Sequence, residues 1–144
     1  VYIEKGGEII PKITGVDYSK REAGSQEIDY ITHCPECGSA LERQEGEAVH
    51  YCPNREGCPP QIKGRIEHFI QRNAMDINTL GEKTIDALYD KGLVRSIPDI
   101  YDLTMDQVMQ LEGFREQSSK NLLEGIEASG KAPFENVLFG LGIR

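Results

Sequence analysis

The chain is organised around two short stretches, Cys34-Pro35-Glu36-Cys37-Gly38 and Cys52-Pro53-Asn54-Arg55-Glu56-Gly57-Cys58. They hold all 4 cysteines of the 144 residues, in the spacing C-x2-C, a gap of fourteen residues, and C-x5-C. Four thiolates at this spacing can surround a single metal ion, and a site that is closed by four protein ligands is structural. The pattern therefore predicts one structural zinc ion per chain, bound by Cys34, Cys37, Cys52 and Cys58.

Other uses of the four cysteines stay open at this stage. They could be core residues, form two disulfides, or hold iron in a small rubredoxin-like electron-transfer protein, because a ring of four thiolates accepts either metal. The paired spacing favours a metal, since Gly38 can adopt the backbone angles of a tight ligand turn. The wider second pair disfavours a symmetric redox site. We interpret His33, His50 and His68 as surface residues rather than as ligands.

The charge balance is acidic, with 16 Lys and Arg against 24 Asp and Glu and a formal net charge of −8. A broad positive field is the usual signature of a nucleic-acid-binding protein, and this chain has none. Any contact with a phosphate backbone must therefore come from local geometry. The chain has no run of eighteen apolar residues and no charged-then-apolar leader, which predicts neither a membrane span nor secretion. Cysteines used as thiolate ligands suit a reducing cytoplasm.

The residues before the cysteines predict a small amount of β-structure. Two β-rich runs within residues 1–16 flank Gly6-Gly7, which is a hairpin signal, and Pro11 predicts that the second strand is an edge. Two strands alone are only marginally stable. We therefore interpret the hairpin as the end of a larger sheet or barrel, followed by a polar linker over 17–29, in a chain that is a piece of a longer protein.

The cysteine-containing segment, 31–60, is predicted to be a compact metal module. Residues 41–43 and 48–52 can pair as a second short hairpin. Prolines flank the second cysteine pair, and we expect Pro53, Pro59 and Pro60 to end regular structure there.

From Gln61 onward the apolar residues follow a helical period, so the fold is predicted to be mainly α. The expected cap residues are Gly92 after the second helix, Ser96 before a short helix that contains Pro98, and a capping box from Thr104 to Gln107. The apolar positions of the four principal helices are Ile62, Ile66, Phe69 and Ile70; Ile85, Leu88 and Tyr89; Leu122, Leu123 and Ile126; and Phe134, Val137, Leu138 and Leu141.

Two turns between predicted helices repeat the same arrangement about thirty residues apart. The first is Leu80-Gly81-Glu82-Lys83, and the second is Leu111-Glu112-Gly113-Phe114-Arg115. A glycine turn at the start of a helix exposes backbone N–H groups, which together with the helix dipole favour a phosphate group. Such binding reads no base sequence. The alternative interpretation is that both turns are ordinary connectors.

The order of these parts resembles the middle of a bacterial NAD-dependent DNA ligase, and the resemblance covers essentially the whole chain. Gly6 to Lys12 resembles the end of that family's OB-fold. The four-cysteine segment from Thr32 to Cys58 resembles its zinc finger. Four further stretches resemble the family's helix-hairpin-helix domain: Lys63 to Met75, Leu80 to Lys83, Leu111 to Phe114, and Leu138 to Arg144.

The resemblance implies a domain organisation: an OB-fold remnant and linker over 1–30, the zinc finger over 31–60, and a truncated helix-hairpin-helix domain over 61–144. It also implies an activity for the parent protein. That enzyme transfers AMP from NAD to a lysine and then to a 5′-phosphate, and it seals nicks in duplex DNA during replication and repair in the bacterial cytoplasm. The adenylating Lys-x-Asp-Gly motif is absent here. We therefore expect this segment neither to bind NAD nor to ligate DNA.

The resemblance further implies that the segment closes around nicked duplex DNA beside the other ligase domains, with zinc bracing the joint between the OB-fold and the helical domain. Its DNA contacts map to Leu80, Gly81, Lys83, Gly113, Phe114, Arg115, Lys120, Gly142 and Arg144. Two features depart from the family pattern. Arg115 stands where a glycine is usual, so either this turn binds less closely or the guanidinium contacts phosphate. A third hairpin begins at Gly142 and is cut short at Arg144.

Three alternatives from other classes remain. A zinc-stabilised helical module could dock proteins without binding DNA, and an acidic surface suits that role. A different repair protein could be built from helix-hairpin-helix units, although the strands and cysteines that precede the helices favour a ligase. The small electron-transfer iron protein is the third.

Overall fold

The structure of the protein is a computed structural model that describes residues 1–7 and 10–143. The chain forms two compact units, one from Val1 to Ile31 and one from Thr32 onward. None of the helices in the described residues is both long enough and apolar enough to cross a membrane.

The first unit is a two-stranded antiparallel sheet. Its strands are β1 (Tyr2–Gly6) and β2 (Ile10–Gly15), with Gly6 opposite Ile10, so the predicted hairpin is confirmed. The apolar side chains of the strands are exposed to solvent. Because the described residues of this unit cover neither face of the sheet, hydrophobic burial contributes little to its stability. The polar segment that follows contains one turn of 3₁₀ helix, Tyr18–Lys20, where only a linker was expected.

The cysteine segment contains the second predicted hairpin. Its strands are β3 (Glu42–Arg43) and β4 (His50–Tyr51), paired antiparallel, and His33 forms an isolated bridge with Ala40. Strands of two residues cannot hold a fold by themselves. The order of this segment therefore depends on its turns and on the metal-binding residues.

Five α-helices make up the rest of the second unit, which confirms the mainly α fold. They are α1 (Pro59–Ile70), α2 (Glu82–Asp90), α3 (Met105–Met109), α4 (Glu116–Ser129) and α5 (Phe134–Gly140), with a turn of 3₁₀ helix over Pro98–Ile100. One apolar core joins α1 to α4 and the segments between them. Its most deeply buried members include Ile66, Ile77, Ile85, Leu88, Ile100, Val108 and Leu122.

The start of α1 contradicts the prediction that Pro59 and Pro60 end regular structure. Both prolines lie in the first turn of the helix, and Cys58 is its N-cap. Proline is tolerated there because the first N–H groups of a helix have no partner within the helix, and the fixed φ angle of proline suits the helix. The second cysteine pair therefore runs directly into α1, and the expected division between residues 60 and 61 falls inside this helix.

Three predicted caps had different outcomes. Gly92 ends α2 with a positive φ of 71°, while the N–H of Leu93 donates to the carbonyl of Leu88, as in a Schellman motif. The capping box at the start of α3 is also confirmed. Ser96 is not the N-cap of the next helical turn; instead, the Asp99 carboxylate accepts hydrogen bonds from the N–H groups of Arg95 and Ser96.

The predicted inward face of α5 is partly wrong. Phe134 and Leu141 are 72% and 50% exposed, whereas Val137 is half-buried against the core. The helix approaches α1 through its backbone at Gly140, where an added Cβ would lie 3.0 Å from Phe69. A helix that packs through a glycine covers only a narrow stripe of its own surface, which leaves Phe134 exposed.

Candidate metal centre and phosphate-binding turns

The first cysteine pair is held by a tight turn. The carbonyl of Cys34 accepts a hydrogen bond from the N–H of Gly38, and the N–H of Cys34 donates to the carbonyl of Ser39, each over 2.8 Å. Gly38 has a φ of +71°, a backbone conformation that glycine adopts without a Cβ clash. The predicted knuckle is therefore confirmed.

The second cysteine pair is held by a different loop. The N–H of Cys58 donates to the carbonyl of Asn54 at 3.1 Å, and the N–H of Gly57 donates to the Asn54 side-chain oxygen at 3.0 Å. Asn54 thus closes the loop of residues 52–58, which we call the zinc loop. The first turn of α1 continues from it, since the Cys58 carbonyl accepts hydrogen bonds from the N–H groups of Gln61 and Ile62.

The four sulfur atoms meet in the geometry that a zinc ion requires. All four Sγ atoms lie within 4.8 Å of one another; Cys37 and Cys52 are 3.5 Å apart, and Cys34 and Cys58 are 3.9 Å apart. A tetrahedron with Zn–S bonds of about 2.3 Å has S–S edges of about 3.8 Å, whereas a disulfide has about 2.05 Å. All four cysteines are free thiols. The site therefore fits one zinc ion, and the two disulfides are excluded.

The surroundings of the thiols affect their ionisation unequally. Hydrogen bonds from the side chain and backbone of Ser39 lower the pKa of Cys37 to about 6. Burial raises the pKa of Cys52 to about 12 and also raises that of Cys58. Burial without a counter-charge disfavours a thiolate, and a divalent cation supplies that charge. Zinc binding at this site must therefore displace protons.

The first predicted phosphate turn leads into α2. Gly81 is the N-cap of this helix, and no side chain caps its N–H groups. A Cβ on Gly81 would meet no atom within 4 Å, so the turn opens to solvent. Lys83 is exposed beside it. Leu80 is 2% exposed and lies in the core, which restricts its predicted part in DNA binding to positioning the turn.

The second predicted turn leads into α4 and differs at its N-cap. Arg115 is exposed there, and its N–H donates to the Ser118 hydroxyl at 2.8 Å. An Arg side chain has no acceptor, so it cannot cap the helix amides itself. Gly113 precedes it with a φ of +82°, and Phe114 is half-buried against the core. Lys120, on the following turn of α4, lies 3.7 Å from Glu124.

Neither turn has a positive surplus of its own. Glu82 offsets Lys83 at the first turn, and at the second turn the two acidic residues Glu112 and Glu116 outnumber Arg115. An acidic residue in the first turn stabilises a helix but repels phosphate. Any phosphate binding predicted at these turns would therefore depend mainly on the backbone N–H groups.

The structure also connects the first turn to α4. An added Cβ on Gly125, in the middle of α4, would lie 3.1 Å from the hydroxyl of Thr79. The loop before α2 therefore packs directly on α4, which explains a glycine in a helix interior.

The other two predicted DNA contacts lie at the end of the chain. Gly142 is exposed with a φ of +72°, and its N–H donates to the carbonyl of Phe139 as part of the C-terminal cap of α5. This is the negative end of a helix, which does not favour phosphate. Arg144 lies outside the described residues.

Comparison with known proteins bears on both the metal centre and the helices. Residues 33–59 match the family model of the NAD-dependent DNA ligase C4 zinc finger domain. The whole chain aligns with proteins named DNA ligase from Cytophaga hutchinsonii, Flavobacterium psychrophilum and Bacteroides fragilis, at 60%, 59% and 56% identity. It is a homologue of a DNA ligase segment. The chain spans about a fifth of the length of these relatives, 22% in each case.

These matches confirm the family resemblance and the metal. Cys34, Cys37, Cys52 and Cys58 are positioned to bind one structural zinc ion, because the matched family is a C4 zinc finger and the four sulfur atoms fit the ion. The electron-transfer iron protein is thereby set aside.

Sequence reasoning missed two features of this chain. Cys58 is a helix N-cap as well as a ligand, which the double proline after it could have indicated. Gln61 and Arg65 of α1 hydrogen-bond to the zinc loop, and no pattern in the sequence marks such contacts with backbone carbonyls.

Proposed function

We propose that this chain is the part of an NAD-dependent DNA ligase that holds duplex DNA by its phosphate backbone while other domains carry the adenylation chemistry. The parent enzyme would seal nicks, with residues 1–30 as the end of its OB-fold and 61–144 as its helix-hairpin-helix domain. The observation that carries this proposal is the open N-terminus of α2, where Gly81 leaves space for a close approach to uncapped N–H groups.

The proposed binding mode is independent of base sequence. Backbone N–H groups at Gly81 and the Lys83 ammonium would contact phosphate at the first turn. At the second turn the Arg115 guanidinium would take the place of a close backbone approach. Arginine is suited to this because its planar fork can donate two parallel hydrogen bonds to one phosphate. Because the net charge is −8, few phosphates are neutralised and the affinity should be modest.

A direct test measures the anisotropy of a fluorescent nicked duplex at several salt concentrations. We expect the logarithm of the association constant to fall linearly with the logarithm of salt concentration, equally on unrelated sequences. Lys83→Glu should weaken binding on every sequence and reduce the slope by about 1. Lys91→Glu, at the opposite end of α2, is the matched control and should change binding little. A strong sequence preference, or equal effects of the two variants, would contradict the proposal.

Substitutions at the two helix N-caps, Gly81 and Arg115, test the contribution of each turn to DNA binding separately. Gly81→Ala places a methyl group in open space, so the fold should persist while duplex binding weakens roughly tenfold through the loss of about 1.4 kcal/mol of hydrogen bonding. Gly64→Ala, another exposed glycine with open space around its Cβ, should leave binding unchanged. Arg115→Gly should weaken binding and reduce the salt slope by about 1. Tighter binding by Arg115→Gly would instead show that the arginine obstructs a backbone contact.

The absence of ligation is part of the same proposal. With NAD and a nicked duplex the segment should form no sealed product, because it has no Lys-x-Asp-Gly motif. Complete lack of duplex binding at low salt would favour the protein-docking module instead.

A further inference from the structure

The zinc loop is tied to α1 by two side chains that are not zinc ligands. The side-chain amide of Gln61 donates to the carbonyl of Cys52 at 3.0 Å. Four residues later, on the same face of α1, the Arg65 guanidinium donates to the carbonyl of Arg55 at 2.6 Å and lies 3.8 Å from a Glu56 carboxylate oxygen. These contacts reach the beginning and the middle of the loop.

The end of the same loop is fixed by the backbone. Cys58 is a zinc ligand and the N-cap of α1, and its carbonyl accepts the first hydrogen bonds of the helix. The loop is therefore held to α1 at its start, middle and end.

We propose that Gln61 and Arg65 are positioning residues that keep the zinc loop closed on α1 and thereby slow the release of zinc. A C-x5-C loop has more backbone freedom than the C-x2-C knuckle, so its ligands separate more easily unless other contacts restrain them. Contacts outside the ligand set commonly control the retention of a metal in this way.

Gln61 and Arg65, which we call the latch residues, also make α1 the element that responds to metal loss. If Cys52 moves away with the loop, Gln61 loses its acceptor, and if Cys58 moves, α1 loses its N-cap. Lys63, between the two latch residues, contacts Asp86 of α2 at 2.7 Å. Loosening of the first turns of α1 would therefore reach α2, whose N-cap is Gly81. This inference concerns the zinc site and does not depend on DNA binding.

The test measures zinc release from the full zinc-loaded chain to excess 4-(2-pyridylazo)resorcinol, followed by its absorbance. Gln61→Met keeps the length and the helix propensity of the side chain, adds no charge, and removes the donor to Cys52. We expect zinc to leave about five to ten times faster. Gln117→Met is the matched control, since among the described residues the Gln117 amide donates to Asn121, which also lies in α4. Its release rate should stay within about twofold of the original chain.

A second readout separates a positioning role from a general structural one. In Gln61→Met the backbone N–H groups of residues 62–66 should exchange with deuterium faster, while those of α4 remain protected. Equal release rates for Gln61→Met and the original chain would overturn the proposal. So would equally faster release in Gln61→Met and Gln117→Met, which would indicate a loss of overall stability. If Gln61→Met does not fold, Arg65→Met carries the same expectation and is judged by the same measurements.

Discussion

The two helix pairs of the second unit, α1 with α2 and α3 with α4, share one apolar core but differ in the other contacts that support them. The first pair, α1 and α2, is supported by polar contacts: the zinc loop holds the start of α1, and Lys63 contacts Asp86 and Asp90 of α2. Tyr89 lies under two cations, with Lys63 at 5.0 Å and Arg95 at 3.9 Å from its ring centre. In addition to the apolar core that it shares with α3 and α4, this pair is therefore supported by a metal site and by charge.

The second pair, α3 and α4, is supported mainly by apolar packing. Val108, Leu111 and Leu122 are at most 3% exposed. Among the described residues no ion pair joins these two helices, and Lys120 with Glu124 lies within α4. Apolar packing responds little to salt, pH or chelators, whereas ion pairs and metal ligands respond to all three. The first pair should therefore be more sensitive than the second to salt, pH and chelators.

Loss of the metal should produce the largest difference between the two helix pairs. Cys37→Ala removes a ligand from a closed site, and we expect it to abolish zinc binding and to unfold the cysteine segment. The expected loss exceeds about 4 kcal/mol, because structural zinc sites contribute about 10–16 kcal/mol of binding free energy to folding. Hydrogen–deuterium exchange read by mass spectrometry should show loss of protection at the start of α1 before loss in α4. Unchanged zinc content and unchanged melting in Cys37→Ala would contradict this.

The second largest effect on stability is expected at Asp99, in the segment between the two helix pairs, and this effect depends on pH. The Asp99 carboxylate accepts hydrogen bonds from the N–H groups of Arg95 and Ser96, which lower its pKa below the ordinary value of 3.8. A lowered pKa means that the contribution to stability is present above about pH 4 and is lost as pH falls through the pKa of the folded state. Asp99→Ala should cost about 2 kcal/mol at pH 7.

Urea unfolding at two pH values checks the sign of this effect. The difference in the free energy of unfolding between Asp99→Ala and the original chain should be smaller at pH 3 than at pH 7, because the Asp99 carboxylate begins to take up a proton there. Asp102→Ala, which removes an exposed carboxylate of the same segment, is the control for the loss of an acidic side chain. A difference that stays constant from pH 7 to pH 3 would contradict the assigned role of Asp99.

The contrast between the pairs also shows what the sequence could predict. The zinc ligands, the buried face of α1 and the capping box at Thr104 were predictable, because each is a local pattern with a fixed spacing. Contacts between a side chain and a distant carbonyl, such as that of Gln61 with Cys52, carry no local pattern. The inward face of α5 was misjudged at Phe134 because periodicity identifies an apolar stripe but not what covers it.

The second pair contains a buried polar atom that can be used to test its apolar character. Ser119 is 0% exposed, and its hydroxyl has no hydrogen-bond partner among the described residues. An unsatisfied buried hydroxyl destabilises the folded state, so Ser119→Ala should raise the free energy of unfolding by about 1 kcal/mol.

Ser129, also on α4, is the matched control for this change. Its hydroxyl donates to the carbonyl of Ile126 at 2.6 Å and lies 3.1 Å from the hydroxyl of Tyr101. Ser129→Ala should therefore lower the free energy of unfolding by about 1 kcal/mol, the opposite sign from Ser119→Ala. Urea unfolding of both variants gives the comparison. Destabilisation by Ser119→Ala would mean that its hydroxyl is satisfied in solution.

The smallest expected effect compares the ion pairs themselves by double-mutant cycles. Lys63 has a 23% exposed side chain, and its hydrogen bond to Asp86 raises its pKa, so the pair should contribute about 0.5–1 kcal/mol. A raised lysine pKa means that this contribution is present below about pH 10 and is lost as pH rises through the folded-state value. Lys120 and Glu124, both more than 60% exposed, should couple by about 0.3–0.5 kcal/mol or less. Cycles with Lys63→Met and Asp86→Asn, and with Lys120→Met and Glu124→Gln, would measure both. If the coupling within α4 equals that between α1 and α2, charge does not distinguish the two helix pairs.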